Sequence, residues 1–332
     1  PYYAESMFPP MKLDDGNYYL KAMNCPHTHM IYRSEPRSYR DLPIRYAEYG
    51  TVYRHERSGT LAGLLRTRGF TQNDAHIYCR EDQAEEEFLQ VMKLHEFWYT
   101  QIFGIKDFYM RLSLPSKDKT KFAGVPREWN VAVEIIRRAM RRSGLRFIEA
   151  EGEAAFYGPK VDFQIKSVIG REETASTNQL DFLAAKRFEL TYRDRNGKEK
   201  PVSVIHRAPL GSHERFVAFL IEHYAGAFPL WLAPVQIMVL AINDKVGPYC
   251  QELLRELQRR DLRASLDERN ETIGRKIREA EMQKIPYLLV IGPREQQSKT
   301  VAVRERGKGD RGAMKIEAFL NFIKNTAYPK QP

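Results

Sequence analysis

Polar and ionisable side chains recur at every second position in two stretches of this sequence, where a strand built for a core would carry apolar ones. In residues 49–56 a period of two places Arg54 and Glu56 on one face. In residues 69–79 it places Phe70, Gln72, Asp74 and His76 together, with Thr71, Asn73, Ala75 and Ile77 opposite. A strand face of this composition is a poor core and a good platform for a charged ligand; the plainer reading is the solvated face of an antiparallel sheet. The intervening residues 57–68 carry Gly59 and Gly63, together with Arg57, Arg66 and Arg68, whose guanidinium forks match phosphate oxygens two at a time. An arginine loop above a polar strand face suits a triphosphate, although solvated surface charges would read the same way. A third segment, Ala208-Pro209-Leu210-Gly211-Ser212-His213-Glu214-Arg215, runs into a helix-like stretch at 216–225. Arg215 falls in or beside the first helical turn, where the macrodipole disfavours a cation by about 0.3–1 kcal/mol. A bound phosphate would reverse that penalty.

The bulk sequence limits the folds that can hold these segments. The 332 residues exceed one average domain, so two are expected. With 42% apolar and 29% charged residues, disordered, collagen-like and disulfide-rich classes are excluded. Lys and Arg number 53 against 43 Asp and Glu, a net charge of +10 that invites a polyanionic partner such as nucleic acid. Three widely spaced cysteines, Cys25, Cys79 and Cys250, form no disulfide framework and fit a reducing cytoplasm. The longest apolar stretches, at 237–242 and 287–291, are too short to span a bilayer, and no signal peptide opens the chain, so no membrane association is expected.

Periodicity predicts helices over 82–103, with Asp82 as N-cap, and over 128–142. Strands are expected at 49–56, 69–79, 160–167, 188–193 and 201–207. Strands in hairpin-like spacing outnumber helices, which predicts an antiparallel sheet with helices packed on one face, an α+β arrangement. Phe228-Pro229-Leu230-Trp231-Leu232-Ala233-Pro234 interrupts regular structure and divides the chain into domains 1–228 and 229–332. Beyond it, strands at 235–242, 263–266, 286–291 and 300–304 alternate with helices at 246–260, 272–284 and 315–324. That alternation predicts a small α/β domain with a largely parallel sheet. Residues 233–332 hold 19 Lys and Arg against 13 Asp and Glu, over half of the whole charge surplus.

At this point the residues meet a family. Tyr53-Arg54-His55-Glu56-Arg57-Ser58-Gly59, running on to Arg68-Gly69-Phe70-Thr71-Gln72-Asn73-Asp74-Ala75-His76, resembles motif 2 of class II aminoacyl-tRNA synthetases, in the form of the threonyl branch. Gly211-Ser212-His213-Glu214-Arg215 is similar to that branch's motif 3. Met23-Asn24-Cys25-Pro26, Ala155-Phe156-Tyr157-Gly158-Pro159-Lys160 and Gln179-Leu180-Asp181-Phe182 match further segments. The C-terminal third resembles the class IIa anticodon-binding domain. The resemblance covers nearly all of the chain. It implies ATP-dependent activation of threonine and transfer to tRNA(Thr) by a cytoplasmic homodimer that uses Mg2+ with ATP. Arg54 would hold the α-phosphate, Glu56 the adenine amino group, Phe70 the ring and Arg215 the γ-phosphate, with Arg66 nearby. Arg54 and Arg215 would be the catalytic pair, acting by alignment and charge neutralisation.

The same resemblance makes Cys25, His76 and His206 the ligands of one zinc ion. One thiolate and two imidazoles leave an open position, as catalytic zinc requires. In the family, threonine's amine and hydroxyl coordinate that zinc. A site that uses the hydroxyl rejects valine by roughly 10⁴–10⁵, whereas serine lacks only a methyl, worth roughly 1–3 kcal/mol. Asp74 would pair with the substrate ammonium, and Tyr157, Gln179 and Gln72 would line the amino-acid pocket. Glu295 and Arg304 fall where relatives read anticodon bases.

Several departures accompany the match. The family's motif 1 and N-terminal editing region are expected before Pro1, and measurable misactivation of serine follows. His27 and His29 stand near Cys25 as competing ligands. Thr174 replaces a glutamine near the nucleotide. Two other readings remain open: another class IIa enzyme, against which the Cys25, His76 and His206 set argues, and a non-catalytic RNA-binding relative, against which intact Arg54, Glu56, Phe70 and Arg215 argue.

Overall fold

A computed structural model describes residues 4–116, 123–166, 170 and 172–328; residue 167, expected to end a strand, lies outside them. The chain forms two compact units, Pro1–Phe219 and Leu220–Pro332.

In the first unit a small ribbon, β1 (Met11–Leu13) and β2 (Gly16–Tyr18), precedes α1 (Cys25–Arg33). The long hairpin β3 (Ile44–Tyr53) and β4 (Gly69–Cys79) leads to α2 (Glu81–Glu96), which continues as a π-helical turn, Phe97–Ile102. Then come β5 (Phe108–Leu114), α3 (Pro126–Ser143), β6 (Phe147–Glu151), and the hairpin β7 (Lys160–Lys166) and β8 (Glu172–Asp181). After α4 (Ala184–Phe188) and a ribbon of β9 (Thr191–Arg193) and β10 (Glu199–Pro201), β11 (Ser203–Ala208) enters the sheet and α5 (His213–His223) leaves it.

The main sheet has the order β3-β4-β11-β8-β7-β5-β6. It is antiparallel throughout except for β5 and β6, which α3 connects as a crossover. This is the expected α+β arrangement. Period two divides the sheet's faces. His95 and Tyr99, on α2 and its π turn, reach Ser176 Oγ at 2.9 and 2.5 Å, so the helices cover the face that carries Ser176. Alternation puts Thr177 and Gln179 of β8 on the opposite face. α3 buries Trp129, Ala132, Val133, Ile136, Ala139 and Met140, spaced three or four apart, as an amphipathic helix must.

Some boundaries differ from expectation. Asp82 is not the N-cap: α2 begins one residue earlier, because the Gln83 side chain accepts the Arg80 N–H at 3.0 Å and closes the helix start there. The strand expected at 49–56 ends at Tyr53; the Arg54 N–H still donates to the Arg68 carbonyl at 2.8 Å, and Glu56 lies in the loop beyond. The strand expected at 188–193 is the end of α4 followed by the shorter β9.

The second unit contains β12 (Ile237–Ala241), α6 (Gly247–Arg259), β13 (Ala264–Asp267), α7 (Ile273–Met282), β14 (Tyr287–Ile291), α8 (Pro293–Ser298), β15 (Val301–Glu305), β16 (Gly309–Met314) and α9 (Ile316–Ile323). Its sheet, β13-β12-β14-β15-β16, is parallel only at β12–β13 and β12–β14. The largely parallel sheet expected from sequence is therefore corrected to a mixed one. α6 and α7 are full crossovers; α8 is too short to return the chain to the far end of β14, so β15 pairs antiparallel.

The proline-rich stretch 228–234 is fastened within this unit. The Arg306 guanidinium donates to the carbonyls of Ala227 and Phe228 at 3.1 and 2.6 Å. Gln236 Nε2 donates to Leu230 and Ala327, and Arg263 donates to Trp231 and Ala233. Lys276, 2% exposed, donates to the Ala241 and Asp267 carbonyls at the ends of two parallel strands.

Candidate active site

β4 lies between β3 and β11, and its register aligns the site. His206 of β11 stands opposite His76 on one side and opposite Gln179 of β8 on the other. Glu48 and Gly50 of β3 stand opposite Asp74 and Gln72. Directly paired residues share a face, so Gln72, Asp74, His76, His206 and Gln179 all project from the side away from α2. α1 starts at the edge of this face and supplies Cys25 from its first position.

Three ligand atoms converge here. One donor atom each from Cys25, His76 and His206 lies within 4.8 Å of the other two, with Cys25 Sγ 3.6 Å from His206 Nδ1. His206 Nε2 meets Asp181 Oδ2 at 3.1 Å, while Asp181 Oδ1 accepts the N–H groups of Leu183 and Ala184 at the start of α4. The carboxylate thus turns the other ring nitrogen toward Cys25, the arrangement that holds a histidine ligand to a metal. His76 is fully buried, and neither of its ring nitrogens has a partner among the described residues. Burial, reinforced by His206 and His29, pushes its pKa well down, so the imidazole is held neutral, the form that ligates. Two imidazoles and a thiol with an open side fit zinc. His29 is outside this group: its Nδ1 pairs with the Tyr78 hydroxyl at 2.8 Å. His27 is exposed on α1.

Cys25 and His206 line a cavity of about 290 Å³, also lined by Arg54, Glu56, Arg66, Phe70, Gln72, Asp74, Tyr157, Thr174, Gln179 and Arg215. The Arg54 guanidinium lies 5.1 Å from the Phe70 ring centre, and its Nε donates to the Ala22 carbonyl at 3.4 Å. Arg66 pairs with Glu56 at 2.9 Å. Arg215 Nε donates to the Leu65 carbonyl at 3.0 Å. Desolvation lowers the Arg215 pKa; Glu173 and Glu56 oppose this, while Arg66 and Arg54 add to it. Three guanidinium groups close enough to repel make a ready anion site. Asp74 is also raised by burial, opposed by a hydrogen bond from Asn24. The Tyr157 hydroxyl donates to Gln179 Oε1. Thr174 is held by a 2.8 Å hydrogen bond from Gln164.

The segment after β11 is tied to β4. Both Glu214 carboxylate oxygens accept the Thr71 N–H, at 3.1 and 3.0 Å, and the Asn73 N–H donates to the Gly211 carbonyl. Gly211 has φ +61°, and a Cβ there would stand 2.8 Å from the Ala175 carbonyl oxygen, so the turn that presents Arg215 needs glycine. Glu214, Asp181 and Asn24 carry no role in the residue pattern alone. Their signal was their place inside the matched segments.

In the second unit, Glu295 lies in the first turn of α8 and its Oε2 accepts the Gly292 N–H at 2.8 Å, a helix cap. Arg304, on β15, lies 3.5 Å from Glu281 and keeps a buried Nε with no partner among the described residues.

Comparison with known proteins agrees with this architecture. Residues 10–224 match the tRNA synthetase class II core domain (G, H, P, S and T), and residues 236–326 match the anticodon binding domain. The chain belongs to the class II tRNA synthetases, within their threonyl branch. It is 47% identical over 329 residues to a threonine–tRNA ligase of Chlorobium phaeobacteroides, covering 97% of this chain and 50% of that protein. A crystal structure of the RNA binding domain of threonyl-tRNA synthetase from Cryptosporidium parvum superposes with a TM-score of 0.92 at 35% identity, covering 99% of this chain and 82% of that one. A putative threonyl-tRNA synthetase of Aeropyrum pernix gives 0.83 at 30% identity, covering 98% and 78%. The chain spans about half the length of the curated relatives it matches. Among the described residues, no helix is long and apolar enough to cross a membrane.

Proposed function

We propose that this chain activates threonine with ATP and transfers it to the 3′ end of tRNA(Thr). The observation that carries the reading is the Cys25, His76 and His206 group, of which Cys25 and His206 line the same cavity as Arg54, Arg66 and Arg215. The threonine carboxylate attacks the α-phosphorus of MgATP, the bond to the β-phosphate oxygen breaks, and pyrophosphate leaves. A ribose hydroxyl of the tRNA then attacks the carbonyl carbon, and AMP leaves. Arg54 and Arg215 neutralise the phosphates and keep them in line, Phe70 and Glu56 hold the adenine, and no side chain has to act as a strong base. Arg66 holds Glu56 from the other side.

Cys25, His76 and His206 would hold one zinc ion, with Asp181 orienting His206. That ion, when bound, supplies an electrophilic anchor for the amine and hydroxyl of threonine. Asp74 takes the ammonium, while Tyr157, Gln179 and Gln72 shape the pocket. Glu295 and Arg304 contact the anticodon in a domain fold of residues 229–332, and the enzyme works as a cytoplasmic homodimer. A chain of this family that binds tRNA without catalysis is the second reading.

Amino-acid-dependent ATP–pyrophosphate exchange with threonine, valine, serine and proline, with and without a zinc chelator, tests this. Chelator-sensitive exchange with threonine, weaker exchange with serine and none with valine is the expected result. Zinc-independent exchange with proline, or none with any amino acid in the dimeric enzyme, would overturn it.

A further inference from the structure

Asp74 is held by a side chain that touches neither phosphate nor sulfur. Asn24, immediately before the Cys25 that opens α1, is fully buried. Its Nδ2 donates to Asp74 Oδ2 at 3.1 Å and to the Gly50 carbonyl at 3.4 Å, and its Oδ1 accepts from Lys21 Nζ at 2.9 Å. The lysine fixes which end of the amide is oxygen, so the nitrogen must face the carboxylate. Gly50 supplies the space: a Cβ there would stand 2.3–2.4 Å from the Asn24 side-chain atoms. Gly50 sits opposite Gln72 on β4, one strand step from Asp74. Among the described residues, Asn24 is the one side chain hydrogen-bonded to Asp74. Its contact uses Oδ2; the Asp74 carboxylate, which also takes a hydrogen bond from the Ala75 backbone, lines the cavity.

We propose that Asn24, seated on Gly50 and oriented by Lys21, is a positioning residue that aims the Asp74 carboxylate at the ammonium group of the amino-acid substrate. The proposal rests on the role given to Asp74 above. A carboxylate on a strand can turn about two side-chain bonds, and one held by Asn24 as well as by the Ala75 backbone meets an incoming cation with that freedom already removed. The group that meets the carboxylate is a neutral amide N–H, and the Lys21 charge is held on the far side of that amide.

The test compares the binding of threonine with that of 2,3-dihydroxybutyrate, in which a hydroxyl replaces the ammonium, by calorimetry on the zinc-loaded enzyme. The wild type is expected to prefer threonine. In Asn24→Ala, and independently in Gly50→Ala, threonine binding weakens about 10-fold, the size of one hydrogen bond to a charged group, while dihydroxybutyrate binding changes less than about twofold. Lys21→Met, at a half-buried position, weakens threonine about 3-fold and secures the result if Gly50→Ala does not fold. The KM for ATP stays put in all three. If the folded Asn24→Ala and Lys21→Met proteins keep the full preference for threonine, or lose affinity for both ligands equally, the positioning role is overturned. A wild type that binds both ligands alike would instead overturn the reading of Asp74 itself, and the positioning role with it.

Discussion

The two units finish their buried polar side chains in opposite ways. In the second, Gln236 spends its amide on the carbonyls of Leu230 and Ala327 and the N–H of Arg263. Lys276 spends its ammonium on two strand-end carbonyls. In the first, neither His76 nitrogen has a partner among the described residues, while Arg54, Arg66 and Arg215, each paired within the chain, line one cavity. A buried polar group costs free energy unless it is paired, so Gln236 and Lys276 serve the architecture while the His76 nitrogens are suited to an added partner. Among the described residues of the second unit, Arg304 Nε is buried with no hydrogen-bond partner while Glu305 Oε2 faces Arg311 Nε at 3.4 Å, and Arg304 is the residue proposed to meet RNA.

The largest effect that would break this contrast is at His76. His76→Ala should abolish stoichiometric zinc binding and lower threonine-dependent exchange by roughly 10³-fold, with little change in thermal unfolding. A variant that unfolded instead would make His76 architecture. Gln236→Ala is the converse. It strands two carbonyls and one N–H and should destabilise the second unit by about 3 kcal/mol in urea unfolding, leaving pyrophosphate exchange intact.

The smallest effect concerns His95, which belongs to neither group cleanly. Its Nδ1 pairs with Ser176, while its Nε2 has no partner among the described residues. Burial pushes its pKa down to about 3. Between pH 6.5 and 3 the unfolded chain takes the proton and the folded chain does not, so stability falls as pH drops, by about 1.4 kcal/mol per unit. His95→Gln should reduce the slope between pH 6.5 and 5 by about 1.4 kcal/mol per unit, read as unfolding free energy against pH, leaving the share that His29 and His76 contribute. An unchanged slope would mean that the open nitrogen is already served, and that openness alone does not mark a ligand site.

Much of the first unit's sheet was legible because β4 alternates polar and apolar residues so plainly, and motif 2 gave Arg54, Glu56 and Phe70 a common direction. The metal group was not legible from spacing. Cys25, His76 and His206 lie 51 and 130 residues apart, and only the insertion of β11 between β4 and β8 brings the two histidines face to face. α1 was missed because Cys-Pro-His-Thr-His-Met-Ile-Tyr-Arg has no apolar period, its buried residues being Thr28, His29 and Tyr32. Asn24 falls inside a matched segment, but its role was not legible there because it depends on a glycine 26 residues away. The linker read as a joint from its prolines, yet its carbonyls are held by side chains that enter from 263 and 306.

The placement of β11 also governs when the site can exist. β4 leaves the ribosome with Asp74 and His76 already on it, but its inner neighbour begins at Ser203. At roughly 5–20 residues per second, translation needs on the order of ten seconds to deliver that strand. Over that interval β4 has only β3 beside it, and its inner edge is unpaired. Asp74 and His76 are thus locked in place only after His206 arrives, late in the synthesis of the sheet.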